Sequence, residues 1–366
     1  HSTGPALFSY NRFESLPGAF GLTDNYVTTV YGDREGSLWI GTKTWLHRLR
    51  EGSFVTVGKP EGLSHTGVRG LAVAPDDSVW VMTNGGGLNR VHGDRVQAYA
   101  TRDGLASNFG GPLFTSRDGS LWIGQDGPTR MWGERFRVYA MPEYVSAIAE
   151  DAQGLLIASY GRVWRFRDGR SEPYRLRDGA PLDRQALDFV WSLHASRDGA
   201  LWLATTRGAF VVRDGVLTRV WARPGLAARA IYEEDDGTIW LATMAGALRV
   251  RGAELATFGL AQGLLHDDIF AILGDRNGHL WMSCLRGIFR VARQELEGVA
   301  RGQVRQARIE VFCPADGLRA SEAIALAQPA ACATRDGRLW FATTAGVAVV
   351  DPGKLRRNAL PPPMAI

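Results

Sequence analysis

A short motif recurs eight times along this chain and constrains its fold more than any other feature. Each copy is a turn rich in Asp and Gly, followed by Leu-Trp or a similar pair and then by small and polar residues, as in SRDGSLWIGQ and EDDGTIWLAT. The copies lie about 41 residues apart, a period that is typical of architectures built from one repeated unit. The anchor position of the motif is occupied by Trp39, Trp80, Trp122, Leu156, Trp202, Trp240, Trp281 and Trp340.

Turn chemistry divides each copy into four strands. Asp-Gly between two alternating apolar runs is a strong hairpin signal, and the glycines that follow the second strand favour turns with positive φ. Four-stranded units of this length predict the blades of a β-propeller, whose ring form leaves only short edges. We therefore predict an all-β fold, a single closed β-propeller of eight four-stranded blades. Seven blades are the fallback, if the Leu156 copy or the interrupted last copy forms no blade.

The ends of the chain bear on how the ring closes. Residues 8–13 read as a lone fourth strand, and the last copy, which ends at Val350, has no fourth strand behind it. We therefore expect the N-terminal strand to complete the last blade, which makes residues 1–353 one propeller domain. Residues 292–307 read as a helical or loop insertion. Residues 354–366 contain three consecutive prolines and predict a semi-rigid connector to a downstream region.

Composition excludes several classes of protein. Hydrophobic residues make up 45% of the chain and charged residues 22%, as in folded globular proteins. The net charge of +4 comes from scattered arginines without a basic stripe, so we expect no nucleic-acid partner. No apolar run of about 18 residues occurs. The three cysteines lack a C-x-x-C spacing and the histidines stand apart, so we expect no metal and no cofactor, while one disulfide stays open.

Candidate binding residues come from the segments that join one blade to the next. In a propeller these segments lie at one mouth of the channel, together with the turns between second and third strands, and rigid scaffolds often place ligand sites there. Trp45 and Tyr160 occupy such turns, and Trp191 directly follows a joining segment. The predicted ligand-binding residues are Asn25, Tyr26, Trp45, His65, Asn108, Phe109, Tyr144, Tyr160, Asp188, Trp191, Arg229, His266, Asp267 and Glu322.

This mixture of aromatic, amide and charged groups suits a small polar ligand such as a sugar or a peptide fragment. The competing interpretation of each residue is that it only forms a turn or packs at the rim. No catalytic residue is predicted, because the sequence has no nucleophile elbow and no cysteine in an activating context.

The unit D-x-x-G-x-L-W-I-G-T resembles the two-component-regulator propeller repeat of bacterial sensor proteins. All eight copies fit, and the ending VAVVDPGKL with the tail Asn358…Pro361-Pro362-Pro363 looks like the last blade of the family's diguanylate-cyclase branch. The resemblance implies a periplasmic sensor region of a membrane-bound diguanylate cyclase or hybrid histidine kinase. It further implies a membrane helix and an output domain downstream. On this interpretation the chain is not itself an enzyme; we expect it to act as a homodimer whose packing changes when ligand binds.

Two other classes of function stay open at this stage. The blades also resemble those of virginiamycin B lyase, so the first alternative is a free-standing propeller enzyme of the lyase or glycoside hydrolase type. Its carboxylates would come from Asp188, Asp267, Asp268 or Glu322. The second alternative is a protein–protein scaffold that uses the outer edges of the blades.

Overall fold

The structure is a computed structural model that describes residues 6–9, 12–15, 26–32, 38–44, 46–49, 52–141, 143–324 and 327–355. The chain forms two compact units. The first comprises residues 1–53, 315–317 and 354–366, and the second comprises residues 54–314 and 318–353. The second unit carries the candidate site.

Seven four-stranded antiparallel sheets make up the second unit within the described residues, so the β-propeller fold is confirmed. Blades 1 to 3 are Val68–Val73, Val79–Thr83, Leu88–His92 and Arg95–Tyr99; Leu113–Thr115, Leu121–Gln125, Gly127–Trp132 and Arg135–Val138; Val145–Asp151, Gly154–Ser159, Arg162–Arg167 and Arg170–Pro173. Blades 4 to 6 are Val190–Ala195, Leu201–Thr205, Gly208–Arg213 and Val216–Trp221; Ala228–Glu233, Ile239–Thr243, Gly246–Arg251 and Glu254–Phe258; Ile269–Gly274, His279–Cys284, Gly287–Ala292 and Ile309–Phe312. Blade 7 is Ala331–Ala333, Leu339–Thr343, Gly346–Val350 and Phe54–Val57.

The blades form a ring through side-chain packing. The first strands of successive blades contact one another, and the first strand of blade 7 contacts that of blade 1. Among the described strands each blade is a separate sheet, so no ladder of hydrogen bonds joins two blades. The anchors of all seven blades are buried, and apolar clusters span neighbouring blades, as where Trp340 of blade 7 shares a cluster with Leu71 of blade 1. The repeated Leu-Trp therefore builds the core between blades.

The prediction of eight blades was wrong, and so was the strand that was expected to complete the last one. Phe54–Val57 pairs with the third strand of blade 7, with Phe54 opposite Val350 and Val57 opposite Val347. Phe54 is buried, and its ring lies 5.1 Å from that of Phe312. Both the Leu156 copy and the last copy form blades, so the count of seven arises from the first copy, which stays outside the ring.

The surroundings of Gly346 show that the strand Phe54–Val57 occupies the position of an ordinary fourth strand. A Cβ at Gly346 would lie 2.3 Å from the carbonyl oxygen of Val57. In blade 5 a Cβ at the matching Gly246 would lie 1.9 Å from the carbonyl oxygen of Phe258. Because both glycines adopt positive φ, only glycine fits this close approach comfortably.

The first unit contains the first copy of the motif in a three-stranded sheet of Val27–Gly32, Leu38–Thr42 and Leu46–Leu49. The N-terminal strand predicted over residues 8–13 is instead part of a hairpin of Ala6–Ser9 with Arg12–Ser15. Tyr26, a predicted ligand-binding residue, lies in this unit and is 66% exposed. The predicted residues Asn25 and Trp45 lie outside the described residues.

Helices are few among the described residues. The predicted insertion contains the helix Arg293–Ala300, which packs against the third strand of blade 6, and a single turn of helix covers Arg184–Leu187. Short 3-10 turns lie at Lys59–Glu61, Thr101–Asp103, Leu260–Gln262 and Pro314–Asp316. No helix in the described part of the chain is long and apolar enough to cross a membrane. Cys284 is buried and Cys332 half-buried, and neither forms a disulfide.

One end of the ring carries the Asp-Gly hairpins and is called the hairpin end. In blades 1 to 5 a hairpin aspartate forms an ion pair with an arginine of the third strand. The pairs are Asp76–Arg90, Asp118–Arg130, Asp151–Arg165, Asp198–Arg213 and Asp236–Arg251. Five of the arginines therefore belong to a pairing that recurs with the repeat.

Candidate functional site

The opposite end of the ring, called the mouth end, carries the turns between second and third strands. The last threonine of the motif fixes several of these turns: Thr205 Oγ1 donates to the carbonyl of Gly208 at 2.9 Å, and Thr243 Oγ1 donates to that of Gly246 at 2.8 Å. The small-Thr ending of the motif is thus explained by a buried hydrogen bond that holds the mouth end rigid.

In five of the seven blades the first strand carries a β-bulge where it reaches the mouth end. In blade 4, Val190 is opposite Thr205 and Ser192 is opposite Ala204, which leaves Trp191 as the extra residue. Bulges of this kind redirect a side chain and are common next to functional sites. The five extra residues, called the bulge residues, are Arg69, Ser146, Trp191, Arg229 and Phe270.

The bulge residues of blades 4, 5 and 6 contact one another. The guanidinium carbon of Arg229 lies 5.7 Å from the ring centroid of Trp191 and 5.5 Å from that of Phe270, within cation–π range. Asp268 holds the guanidinium in place, since Nε and Nη2 donate to its two carboxylate oxygens at 2.8 and 3.1 Å. Arg229 is therefore fixed in orientation between two aromatic rings.

Aromatic rings extend this group across blade 3. Phe189 packs edge-on against Trp191 with ring centroids 4.8 Å apart, and Tyr160 lies 6.5 Å from Phe189. Tyr160 is 47% exposed and adopts positive φ at the turn of its blade. We call Tyr160, Phe189, Trp191, Arg229 and Phe270 the aromatic arc.

Two buried polar atoms near the arc have no hydrogen-bond partner among the described residues. They are the indole Nε1 of Trp191 and the Oγ of Ser146, both on bulge residues. Buried donors are nearly always satisfied in native proteins, so such exceptions call for an explanation. The indole Nε1 atoms of the buried anchors Trp202 and Trp340 also lack a partner among the described residues, so the two atoms near the arc do not by themselves indicate a ligand.

A second group lies across the mouth in blades 1 to 3. Asn84 Oδ1 accepts from Arg69 Nε at 3.2 Å and Nη2 at 2.9 Å, and the Phe109 ring, 63% exposed, covers Gly85. Burial raises the pKa of the Tyr144 phenol, while the nearby charge of Arg69 opposes that rise. Arg69, Asn84, Phe109 and Tyr144 therefore present a cation, an amide and two aromatic rings.

Several predicted residues serve the backbone instead. His65 Nδ1 accepts from the N–H of Gly67, and His266 Nδ1 accepts from that of Asp268, both at 2.9 Å. Asn108 accepts from Thr101 at 2.9 Å and Asp267 from Leu260 at 2.8 Å. These contacts fit the alternative interpretation that such residues form turns.

Asp188 and Glu322 lie at the mouth end but outside the two groups. Asp188 adopts positive φ and its Oδ2 accepts from Thr206 Oγ1 at 2.7 Å. Glu322 is exposed, and its carbonyl accepts from the N–H of Thr344 at 3.1 Å. Within the described residues no three His, Cys, Asp or Glu side chains are grouped to hold a metal ion.

The structure thus brings together Tyr160, Trp191 and Arg229 in one group, and Phe109 with Tyr144 in the other. Sequence reasoning missed Arg69, Ser146 and Phe270. A signal for them exists, because each bulge residue directly follows the first buried apolar residue of its strand, as in Val68-Arg69 and Ile269-Phe270. Alignment of the copies on that apolar residue would have found the column.

The comparisons with known proteins agree with the fold. Residues 21–44 match the profile of the family described as two component regulator propeller. Residues 21–44 therefore carry one copy of the two-component-regulator propeller repeat. The matched copy belongs to the first unit and forms none of the seven blades, and no curated protein matches this chain.

Solved structures with similar folds include sensor-type and enzyme-type propellers. The extracellular domain of the putative hybrid two component system BT3049 from B. thetaiotaomicron aligns with a TM-score of 0.75 and 20% identity, over 90% of this chain and 46% of that one. The extracellular domain of the putative one component system BT4673 from the same organism aligns with a TM-score of 0.63 and 15% identity, over 97% and 50%. A virginiamycin B lyase from Staphylococcus aureus aligns with a TM-score of 0.62 and 16% identity, over 81% and 98%.

This chain therefore spans about half the length of the two extracellular domains that it resembles. At these identities the likeness shows the propeller fold, which is shared by sensors and by a lyase.

Proposed function

We propose that this propeller is a periplasmic ligand-sensing part of a bacterial transmembrane signalling protein, and that the aromatic arc binds a small polar ligand. The single observation that carries the binding proposal is the stack of Trp191, Arg229 and Phe270. Aromatic faces and a fixed guanidinium suit a ring that bears hydroxyl or carbonyl groups. The propeller repeats and the similar extracellular domains support the sensory role.

The proposal makes this chain a binding module and not an enzyme. Of the carboxylates that glycoside chemistry would use, Asp268 is engaged by Arg229 and Asp267 by the N–H of Leu260. Asp188 accepts from Thr206. These three are thus tied to structural partners, whereas a general base needs a free oxygen within reach of its substrate. The fourth, Glu322, is exposed, and one carboxylate does not supply the pair that glycoside chemistry uses.

The ligand proposal is tested by calorimetry against a panel of neutral mono- and disaccharides and short peptides. We expect one class to bind the wild-type protein, and Trp191→Ala and Arg229→Gln to weaken that binding at least tenfold. Trp132→Ala and Arg251→Gln are matched controls, because Trp132 is 41% exposed away from the arc and Arg251 pairs with Asp236 at the hairpin end. Equal binding by the arc variants and the controls would refute the site.

The signalling proposal is tested separately by reading the coding sequence beyond Ile366. We propose that it encodes a membrane helix and a diguanylate cyclase domain, with the prolines as connector. A stop codon shortly after Pro363 would contradict this and would favour a free-standing propeller.

In the intact protein we further propose that ligand shifts the packing of two rings in a homodimer. Equal dimer dissociation constants with and without ligand would argue against that mechanism.

A further inference from the structure

A cavity of about 520 Å³ lies at blade 4, and its wall residue Thr206 accepts at 3.1 Å from the backbone N–H of Phe189 in the aromatic arc. Its walls are the turn at Thr206 and Arg207, the end of the fourth strand from Arg219 to Trp221, and the segment of residues 222–225 that leads to blade 5. A cavity of this volume matches the size of small-molecule sites in proteins, which are usually preformed.

Three arginines line this cavity: Arg207, Arg219 and Arg223. All three are exposed, and within the described part of the chain none of their guanidinium groups forms an ion pair or a hydrogen bond. By contrast, the hairpin arginines of blades 1 to 5 are paired with aspartates. Three hydrated like charges without carboxylate partners around one cavity create a local positive potential that attracts anions.

The fold of a blade does not require these arginines, although blade 6 also has an arginine, Arg286, at the position of Arg207. The equivalent positions in blade 5 are Ala245, Thr257 and Leu260. Gly208 is matched with Gly246 and Trp221 with Phe258, and the fourth strands are matched by their pairing with the third strands. In that neighbouring blade none of the three positions is charged. Blade stability therefore does not require the arginines, which separates them from the structural positions of the motif.

One carboxylate, that of Asp188, contacts the wall of the cavity, because it accepts from the cavity residue Thr206. Arg184 approaches Asp188 at 4.0 Å and offsets part of its charge. Trp221, which is 8% exposed, and the exposed Pro224 also line the cavity and add apolar surface to it. The cavity therefore combines three fork-shaped cationic donors with an apolar wall.

We propose that this cavity is a second binding site, which takes a small polyanion with a ring-sized body and two or more sulfate, phosphate or carboxylate groups. Guanidinium groups bind all three oxyanions in bidentate fashion. The body of the ligand packs on Trp221 and Pro224, and the anionic groups lie on the arginines. This site is independent of the neutral-ligand site proposed at the aromatic arc.

The test is calorimetric titration of the wild-type protein with sucrose octasulfate, inositol hexakisphosphate and citrate, with sucrose and inositol as uncharged controls. The three polyanions distinguish sulfate, phosphate and carboxylate as the preferred group. We expect at least one of them to bind and neither control to do so. Failure of all three polyanions to bind would overturn the proposal.

Localisation comes from two triple variants that remove the same charge. We expect R207Q/R219Q/R223Q to weaken binding by more than tenfold, because even one charge-assisted hydrogen bond lost corresponds to about tenfold in affinity. R95Q/R135Q/R170Q removes three exposed arginines from the first residues of fourth strands in blades 1 to 3, and we expect less than threefold weakening. Equal weakening by both triples would reduce the effect to net charge and refute the site.

A second readout uses the wild-type protein alone. Phenylglyoxal modifies accessible arginines, and mass spectrometry reports each position. We expect the bound polyanion to protect Arg207, Arg219 and Arg223 and to leave Arg95 and Arg135 reactive. Uniform protection, or none at the three cavity arginines, would contradict the assignment. Binding by W191A at the wild-type affinity would show that this site is separate from the arc.

Discussion

The hairpin end and the mouth end of the ring use the same residue types for different purposes. At the hairpin end an aspartate pairs with an arginine in blade after blade, and the anchor beside it is buried between blades. At the mouth end the bulge position holds Arg, Ser, Trp, Arg and Phe in five blades. The residues that recur from blade to blade build the scaffold, whereas the bulge residues, which vary among the blades, are available for recognition.

Two tryptophans of blade 4 give the sharpest test of this contrast. Trp202 is the anchor and is 3% exposed, whereas Trp191 is the bulge residue. We expect Trp202→Ala to lower the free energy of unfolding by about 3–5 kcal/mol, because it opens a cavity in the core. For Trp191→Ala we expect about 1 kcal/mol or less, together with loss of ligand binding. Urea unfolding measures the free energy of unfolding of both variants. Similar losses of stability would show that the anchor and the bulge residue do not differ in their structural role.

The next largest effect is expected at Asp151 and Arg165, the most buried of the hairpin pairs. Their side chains are 24% and 15% exposed, and two hydrogen bonds of 2.7 and 2.6 Å join them. Asp151→Ala leaves the guanidinium half-buried without its counterion, so we expect a loss of about 2 kcal/mol. The double variant with Arg165→Met serves as the control and should recover part of that loss. A single variant as stable as the wild type would contradict this expectation.

Acid should weaken the hairpin end in particular. The pKa of Asp76 is lowered, chiefly by the hydrogen bond from Ser78 Oγ with Arg90 adding to it. At Asp151 burial acts to raise the pKa, but the hydrogen bonds and charge of Arg165 and the N–H of Gln153 together outweigh it. Because these folded-state pKa values lie below the unfolded value of about 3.9, the carboxylates stabilise the fold above that pH.

Stability should therefore be lost as the pH falls from about 4 through the lower folded-state pKa values. Urea unfolding between pH 6 and pH 2.5 measures the loss. Asp151→Asn should show a shallower decline than the wild type, since it has one linked carboxylate fewer. A flat profile in the wild type over this range would show that the hairpin pairs contribute nothing.

The smallest effect is expected at Arg338 and Asp336, a hairpin pair of blade 7 in which both side chains are about two-fifths exposed. Exposed ion pairs contribute little, so we expect Arg338→Ala to change the free energy of unfolding by less than about 0.5 kcal/mol. A loss as large as that of Asp151→Ala would mean that burial does not decide the strength of these pairs.

The repeat unit and the anchors were predictable from sequence because one structural unit recurs with its turn chemistry. The number of blades was not. Residues 54–57 follow the first copy as a fourth strand would, yet Phe54 pairs with Val350, almost 300 residues away, and packs on Phe312. Local pattern alone cannot choose between the two partners, since the choice depends on burial of Phe54 between blades.

The candidate site was predictable in part. Trp191 stood out because it interrupts the pattern of the copies, and Arg229 because it lies in a segment that joins two blades, whereas Arg69 and Phe270 became visible only with the bulges. A bulge depends on the pairing of two strands, and its signal in the sequence, a residue that directly follows the first buried apolar residue of the strand, is recognised only once that pairing is known. The histidines and Asn108 bond to the turn backbone, and a polar side chain in that role has the same composition as one that meets a ligand, so sequence alone does not separate the two.

The seventh blade has a mechanical consequence. Phe54 begins its strand opposite Val350, where the neighbouring strand ends, so the flanking chain on both sides leaves from the same end of one short ladder. Tension applied through those flanks would load the pairs one after another, as in opening a zipper, and not all at once in shear. This ladder has four residue pairs, so blade 7 is where a pulled ring should open first.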